Sequence, residues 1–239
     1  MKVRIRVTHS ALKKEVQESA DKKQAEVLQG FFKTGQGQYG QGDVFWGIKV
    51  PQQRKIARKY QDLPLVEVEE LLAGKIHEHR LIALLILIFK YRGADLRGKK
   101  EIYTLYLRNT RHINNWDLVD LSAPAIVGHY LLDKKRDVLY RLAHSSELWE
   151  KRIAILATFE FIKNGETQDT FAIAEILLKD SHDLIHKAVG WMLREAGKRV
   201  NQEDEEVFLR KHCKVMPRTM LRYAIERFSD EKKKFYRGR

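Results

Sequence analysis

The 239-residue chain is 44% hydrophobic and carries 45 Lys and Arg against 32 Asp and Glu, a formal charge of +13. That length and apolar content suffice to bury a full core and argue against disorder. The cationic surplus favours a polyanionic partner, most simply nucleic acid, over an acidic small molecule, although a charged fraction of 32% also suits a heat-adapted surface. The lone Cys213 excludes an intramolecular disulfide and a cysteine-based zinc cluster, and fits a reducing cytoplasm.

Val3, Ile5 and Val7 alternate with basic residues and predict a short extended opening, without the continuous apolar core of a signal peptide. The longest apolar run, residues 81–89, is too short for a membrane span, so a soluble cytoplasmic protein is expected. Residues 11–32 have a polar-rich helical pattern broken around Ser19, Ala20 and Asp21. Four glycines within residues 34–42 then mark a loop. No apolar strand precedes it and no Gly-Lys-Ser/Thr ending follows, which argues against a nucleotide-triphosphate cradle. Tyr39, Phe45 and Trp46 pack that loop down or face a ligand, and packing is the simpler reading. Pro51 suits the first position of a helix reaching about Tyr60, and residues 66–73 add a short one.

From there the chain repeats. Glu78-His79-Arg80-Leu81-Ile82-Ala83-Leu84-Leu85 matches Glu150-Lys151-Arg152-Ile153-Ala154-Ile155-Leu156-Ala157, and then Ile185-His186-Lys187-Ala188-Val189-Gly190-Trp191-Met192. Arg80 and Arg152 are 72 positions apart, Arg152 and Lys187 are 35 apart, and Arg222 follows after another 35. A unit of roughly 35 to 37 residues is the length of a helix-pair repeat. Second helices are expected near 97–109, 134–144, 167–179 and 201–212, the third showing its stripe in Ile173, Ile176 and Leu177. One helix pair cannot bury its apolar stripe alone. The predicted fold is therefore all-α, with HEAT-like helix-pair repeats stacked into a curved right-handed solenoid. The expected organisation is one domain over 1–239: N-terminal helices and the Gly-rich loop in 1–50, repeats in 51–228, and a basic C-terminal tail in 229–239.

The slot between Arg80 and Arg152 is filled by residues 114–124. Asn114 reads as an N-cap with Asp117 near the positive end of the helix dipole, so a helix is predicted from Asn115. Trp116 and Asp120 then share a face one turn apart, and Pro124, which cannot bond the Asp120 carbonyl, predicts a bend there. Trp116, Asp120, Arg152 and Trp191 all lie near the starts of consecutive leading helices, with Lys187 one turn before Trp191. Indoles stack on nucleotides or sugars, and Arg grips phosphate in a fork, although Arg152 pairing with a carboxylate and Trp191 in the core are the bland alternatives. A lone Asp facing two aromatics can hold a water or stabilise a sugar-like cation. Asp117 points elsewhere, no nucleophile elbow appears, and His77 and His79 diverge on a helix, which argues against a metal site.

Across Phe45-Trp46-Gly47-Ile48-Lys49-Val50-Pro51, Asn115-Trp116-Asp117-Leu118-Val119-Asp120, Leu148-Trp149-Glu150-Lys151-Arg152 and His186-Lys187-Ala188-Val189-Gly190-Trp191-Met192-Leu193-Arg194-Glu195, the chain resembles the AlkD family of DNA alkylation repair glycosylases. The resemblance implies a HEAT-like solenoid that excises cationic alkylpurines such as 3-methyladenine and 7-methylguanine from duplex DNA without flipping the base into a pocket. It implies Asp120 as the carboxylate that stabilises the sugar cation and positions water. It further implies Trp116 and Trp191 as the aromatic pair flanking the lesion, and Arg152 as the holder of the adjacent phosphate. The expectation is a monofunctional, monomeric hydrolase needing no metal or cofactor, with Arg152, Lys187, Arg80, Arg194 and Arg222 gripping DNA. All of it requires the four central side chains to meet in one hollow. The rivals are a non-catalytic repeat scaffold for nucleic acid or protein, and an RNA-binding repeat protein.

Overall fold

The computed structural model describes residues 8–238; the extended opening expected over 1–7 lies outside the described residues. The described residues fold as α1 (His9–Glu18), α2 (Lys22–Phe31), α3 (Val50–Lys59), α4 (Leu65–Leu72), α5 (His77–Gly93), α6 (Leu96–Arg108), α7 (Trp116–Ala123), α8 (Asp137–Ala143), α9 (Leu148–Lys163), α10 (Gln168–Leu177), α11 (Asp183–Arg199), α12 (Gln202–His212), α13 (Arg218–Ala224) and α14 (Asp230–Arg237). Among them, β pairing amounts to one isolated parallel bridge between Val44 and Ile76. The all-α expectation holds. The break around Ser19-Ala20-Asp21 is the N-cap of α2, where the Asp21 carboxylate accepts the Gln24 N–H.

The chain divides into two compact units, Met1–Leu118 and Val119–Arg239. In the first, α5 packs against α1, α3 and α4, and its residues 81–88 are buried on every face. A helix that is apolar all round belongs in a core, which explains the longest apolar run of the sequence. No described helix is long and apolar enough to cross a membrane.

In the second unit the leading helices α9, α11 and α13 pack one on the next, while α8, α10 and α12 lie against them as second helices. This is the helix-pair pattern that the repeat length predicts. Gly190 permits the α11–α13 approach, since a Cβ there would sit 2.6 Å from Tyr223 Cβ and closer still to the Met220 carbonyl. The expected helix near 134–144 starts late, at Asp137. The Arg136 side chain instead bonds the carbonyls of Leu131 and Leu132, reaches Asp169, and lies 3.7 Å over the Phe161 ring. Within the basic tail expected over 229–239, α14 is capped by Ser229 and anchored by the buried Tyr236 beside Phe228.

Glu205 of α12 is only 2% exposed and its Oε1 has no hydrogen-bond partner among the described residues. It fits because α11 has Gly197 opposite, where a Cβ would run into the carboxyl. Burial, then the charge of Glu206, push its pKa up to about 8 against the pull of Arg194. The folded state therefore holds a proton that the unfolded chain releases near its ordinary 4.5, and stability falls as pH rises from 4.5 towards 8. Glu205→Gln is expected to remove that slope, a relief on the order of 3 kcal/mol at neutral pH. Thermal unfolding should show the variant melting above the parent near neutrality, with the gap closing near pH 4.5. A gap independent of pH would contradict this.

Candidate active site

The opening of α7 is fixed by two side chains that bond their neighbours' amides. Asn115 Oδ1 accepts the Trp116 N–H at 2.8 Å, and Asp117 Oδ1 accepts the Leu118 N–H at 2.9 Å. The capping side chain is thus Asn115 rather than the expected Asn114. Asn115 is fully buried, and its amide also donates to Asp43 Oδ2 at 3.0 Å. At the other end, Pro124 does not stop the helix. The chain passes into a π-helical turn, Pro124–Gly128, whose wider winding accommodates the missing N–H.

Asp120 and Arg152 come together as a fork. Arg152 Nε donates to Asp120 Oδ1 and its second terminal nitrogen to Oδ2, both at 2.8 Å, while the remaining one donates to the Leu184 carbonyl. One guanidinium so ties α7, α9 and α11. The Asp120 side chain is 19% exposed and that of Arg152 5%. The Asp120 carboxylate is gripped along one edge by Arg152 and stays partly exposed to solvent. Arg152, expected to hold a phosphate, is enclosed and bonded to Asp120 and Leu184.

Trp116 belongs to the first unit. Its half-buried indole stacks on Phe32 at 5.2 Å and meets the edge of Phe31 at 5.9 Å, and Phe32 stacks in turn on Phe45. Trp191, also half-buried, lies on α11 with the Phe159 ring 6.0 Å away. Lys187, one turn before it, pairs with Asp183 at 2.6 Å. Arg194 is held by Glu226 and Glu195. Arg222 is exposed and lines an open cavity of about 400 Å³ with Lys214, Arg218 and Arg237.

Arg80, expected among the DNA contacts, lies inside the first unit. Its side chain is 4% exposed, paired with Asp43, and bonded to the Gly74 and Lys75 carbonyls at 3.1 Å. It belongs to a clasp that no motif or spacing foretells. The buried Glu78 carboxylate accepts the successive N–H groups of Trp46, Gly47 and Ile48 at 2.8 to 3.2 Å, securing the chain after the Gly-rich loop. His77 bridges Asp43 and Asp117. His79 stays neutral: burial first, then Lys13, His9 and Arg80, hold its pKa to about 4. Within the Gly-rich loop, the Gly35 and Gly37 amides are taken by Gln38 and Gln41 side chains, so these donors are not held open for a phosphate.

Fold and site together define a helix-pair protein whose stacked leading helices carry a partly open, arginine-held carboxylate. The family model described as DNA alkylation repair enzyme matches residues 12–228, and the chain belongs to that family. A solved structure described as a predicted DNA alkylation repair enzyme from Enterococcus faecalis is similar in fold, with a TM-score of 0.69 at 15% identity, over 89% of this chain and 98% of that one. Among curated proteins none matches. Membership makes this a protein of DNA repair, with DNA as its partner.

Proposed function

We propose that the chain is a monofunctional DNA glycosylase that hydrolyses the N-glycosidic bond of cationic alkylpurines, 3-methyladenine and 7-methylguanine, in duplex DNA. The observation that supports it most is the Asp120 carboxylate, oriented by Arg152 and partly exposed to solvent. An alkylated purine already carries positive charge, so the base leaves readily and the deoxyribose develops oxocarbenium character. A fixed anion beside that sugar lowers the barrier, and the same oxygens orient the water that completes the displacement. Arg152 orients this anion, a narrower task than gripping phosphate. Trp116 and Trp191 are the aromatics assigned to contact lesion-bearing DNA, and excision proceeds without flipping the base.

Duplex containing a single 7-methylguanine, incubated with the protein and then treated with hot alkali, should break at the modified position through an abasic site. A non-catalytic scaffold would retain the duplex and leave it intact. Phosphate contacts fall to exposed cations such as Arg222. Arg222→Gln should weaken binding similarly for damaged and undamaged duplex and lower the log–log salt slope by about 1, read from binding isotherms at several salt concentrations. An unchanged slope would remove Arg222 from the interface.

A further inference from the structure

We propose that His77, held as a doubly protonated imidazolium, is the positioning residue that sets the pose of Trp116; its bearing on catalysis rests on the reading of Trp116 given above. Nδ1 of His77 lies 3.1 Å from Asp43 Oδ2, and Nε2 lies 2.9 Å from Asp117 Oδ2. Ionised carboxylates only accept hydrogen bonds, so both ring nitrogens must donate, and only the imidazolium carries two N–H groups. A neutral ring would turn a lone pair towards one of the two acids.

The surroundings suit a cation. The ring is 2% exposed and stacks on Phe45 at 4.3 Å, and an aromatic face attracts positive charge. The charged groups facing it are Asp43 from the loop, Asp117 from α7 and Arg80 from its own helix, and Arg80 is itself paired with Asp43. Burial pulls the ring towards neutrality. The hydrogen bonds to Asp117 and Asp43 and the charge of Asp117 outweigh burial and Arg80, and the pKa stands above the ordinary 6.5. For Asp43, burial raises the pKa, but His77, Arg80 and Asn115 bring it below its usual value.

The clamp closes on Trp116 from two directions. Along the backbone, both neighbours of Trp116 are tied to it, Asp117 through His77 and Asn115 through Asp43. Through the side chain, the indole stacks on Phe32, Phe32 on Phe45 at 4.9 Å, and Phe45 on His77. Because the folded pKa is raised, the clamp is complete below the ordinary value of about 6.5 and is lost as pH rises through the raised one.

Asp117→Asn tests this without breaking the hydrogen-bond count. The substituted amide would keep the Leu118 N–H on its oxygen and donate from the position of Oδ2 to Nε2 of a neutral ring, so the charge is no longer required. Nitrogen NMR should find both His77 nitrogens protonated near neutrality in the parent. The Trp116 indole N–H resonance, identified by its loss in Trp116→Phe, should move with the His77 titration in the parent and stay still over that range in Asp117→Asn. The ratio of parent to variant single-turnover rates for excision of 7-methylguanine should fall about ten-fold as pH rises through the His77 titration. A singly protonated ring near neutrality, an indole resonance deaf to His77, or the same alkaline loss in both proteins overturns the proposal. Resonances that behave as expected in a protein that excises nothing would support the clamp and overturn the glycosylase reading.

Discussion

Asp120→Asn is expected to lower single-turnover excision of 7-methylguanine about a thousand-fold while duplex affinity changes only a few-fold. Asparagine keeps the shape of the side chain and can still take the Arg152 Nε–H on its oxygen, but it places an amide donor opposite the second guanidinium donor. That mismatch costs about 1–3 kcal/mol, which thermal unfolding will register as a modest loss. The catalytic loss is of another kind. The anion beside the incipient sugar cation is gone, and no rearrangement of the neighbouring donors replaces it. Excision at the parent rate by a folded Asp120→Asn would show that the chemistry lies elsewhere.

Arg152→Ala should damage both stability and catalysis. The side chain holds Asp120 with two hydrogen bonds and the Leu184 carbonyl with a third, and it is almost wholly enclosed. Removing one partner of such a pair costs roughly 3–5 kcal/mol, because the charge left behind has lost its compensation. Asp120 is partly open and can recruit water, which places the expected loss towards the lower figure. Excision falls with it, since a carboxylate free to rotate no longer presents a fixed edge to the sugar. Arg152→Lys should recover part of the stability and little of the activity, because an ammonium is a point charge and cannot fork across both oxygens. Melting temperatures and single-turnover rates of the two variants, measured together, check this. Full activity in Arg152→Lys would mean that charge alone suffices.

Repeat phase is readable from the sequence because burial imposes it. The stripe of α10 recurs at helical spacing, with Ile173 and Leu177 fully or nearly buried and Ile176 half-exposed at its margin. Arg80 and Arg152 occupy equivalent slots, and that equivalence is real: both are enclosed, and both pair with an acid from outside their own helix, Asp43 and Asp120. Periodicity does not say whether a basic slot faces an internal carboxylate or an external phosphate. Both satisfy a guanidinium, and the acid that decides lies 37 or 32 residues away.

The clasp is illegible for the same reason. Asp43, His77, Asn115 and Asp117 belong to a loop, one helix and the start of another, joined by no common spacing. His77 and His79 diverge on α5 as their separation requires, yet divergence excludes only a shared metal and leaves open what each ring meets. Asn114 and Asn115 offer the same capping chemistry in adjacent positions, and burial of Asn115 against Asp43 makes the choice.

The most direct measurement is mass spectrometry of the small-molecule fraction after incubating methylated duplex DNA with the parent, with Asp120→Asn and without protein. Free 7-methylguanine and 3-methyladenine should accumulate with the parent well above spontaneous loss and stay near that background with the variant. Equal release in all three samples would contradict the assignment of Asp120 and of the activity itself.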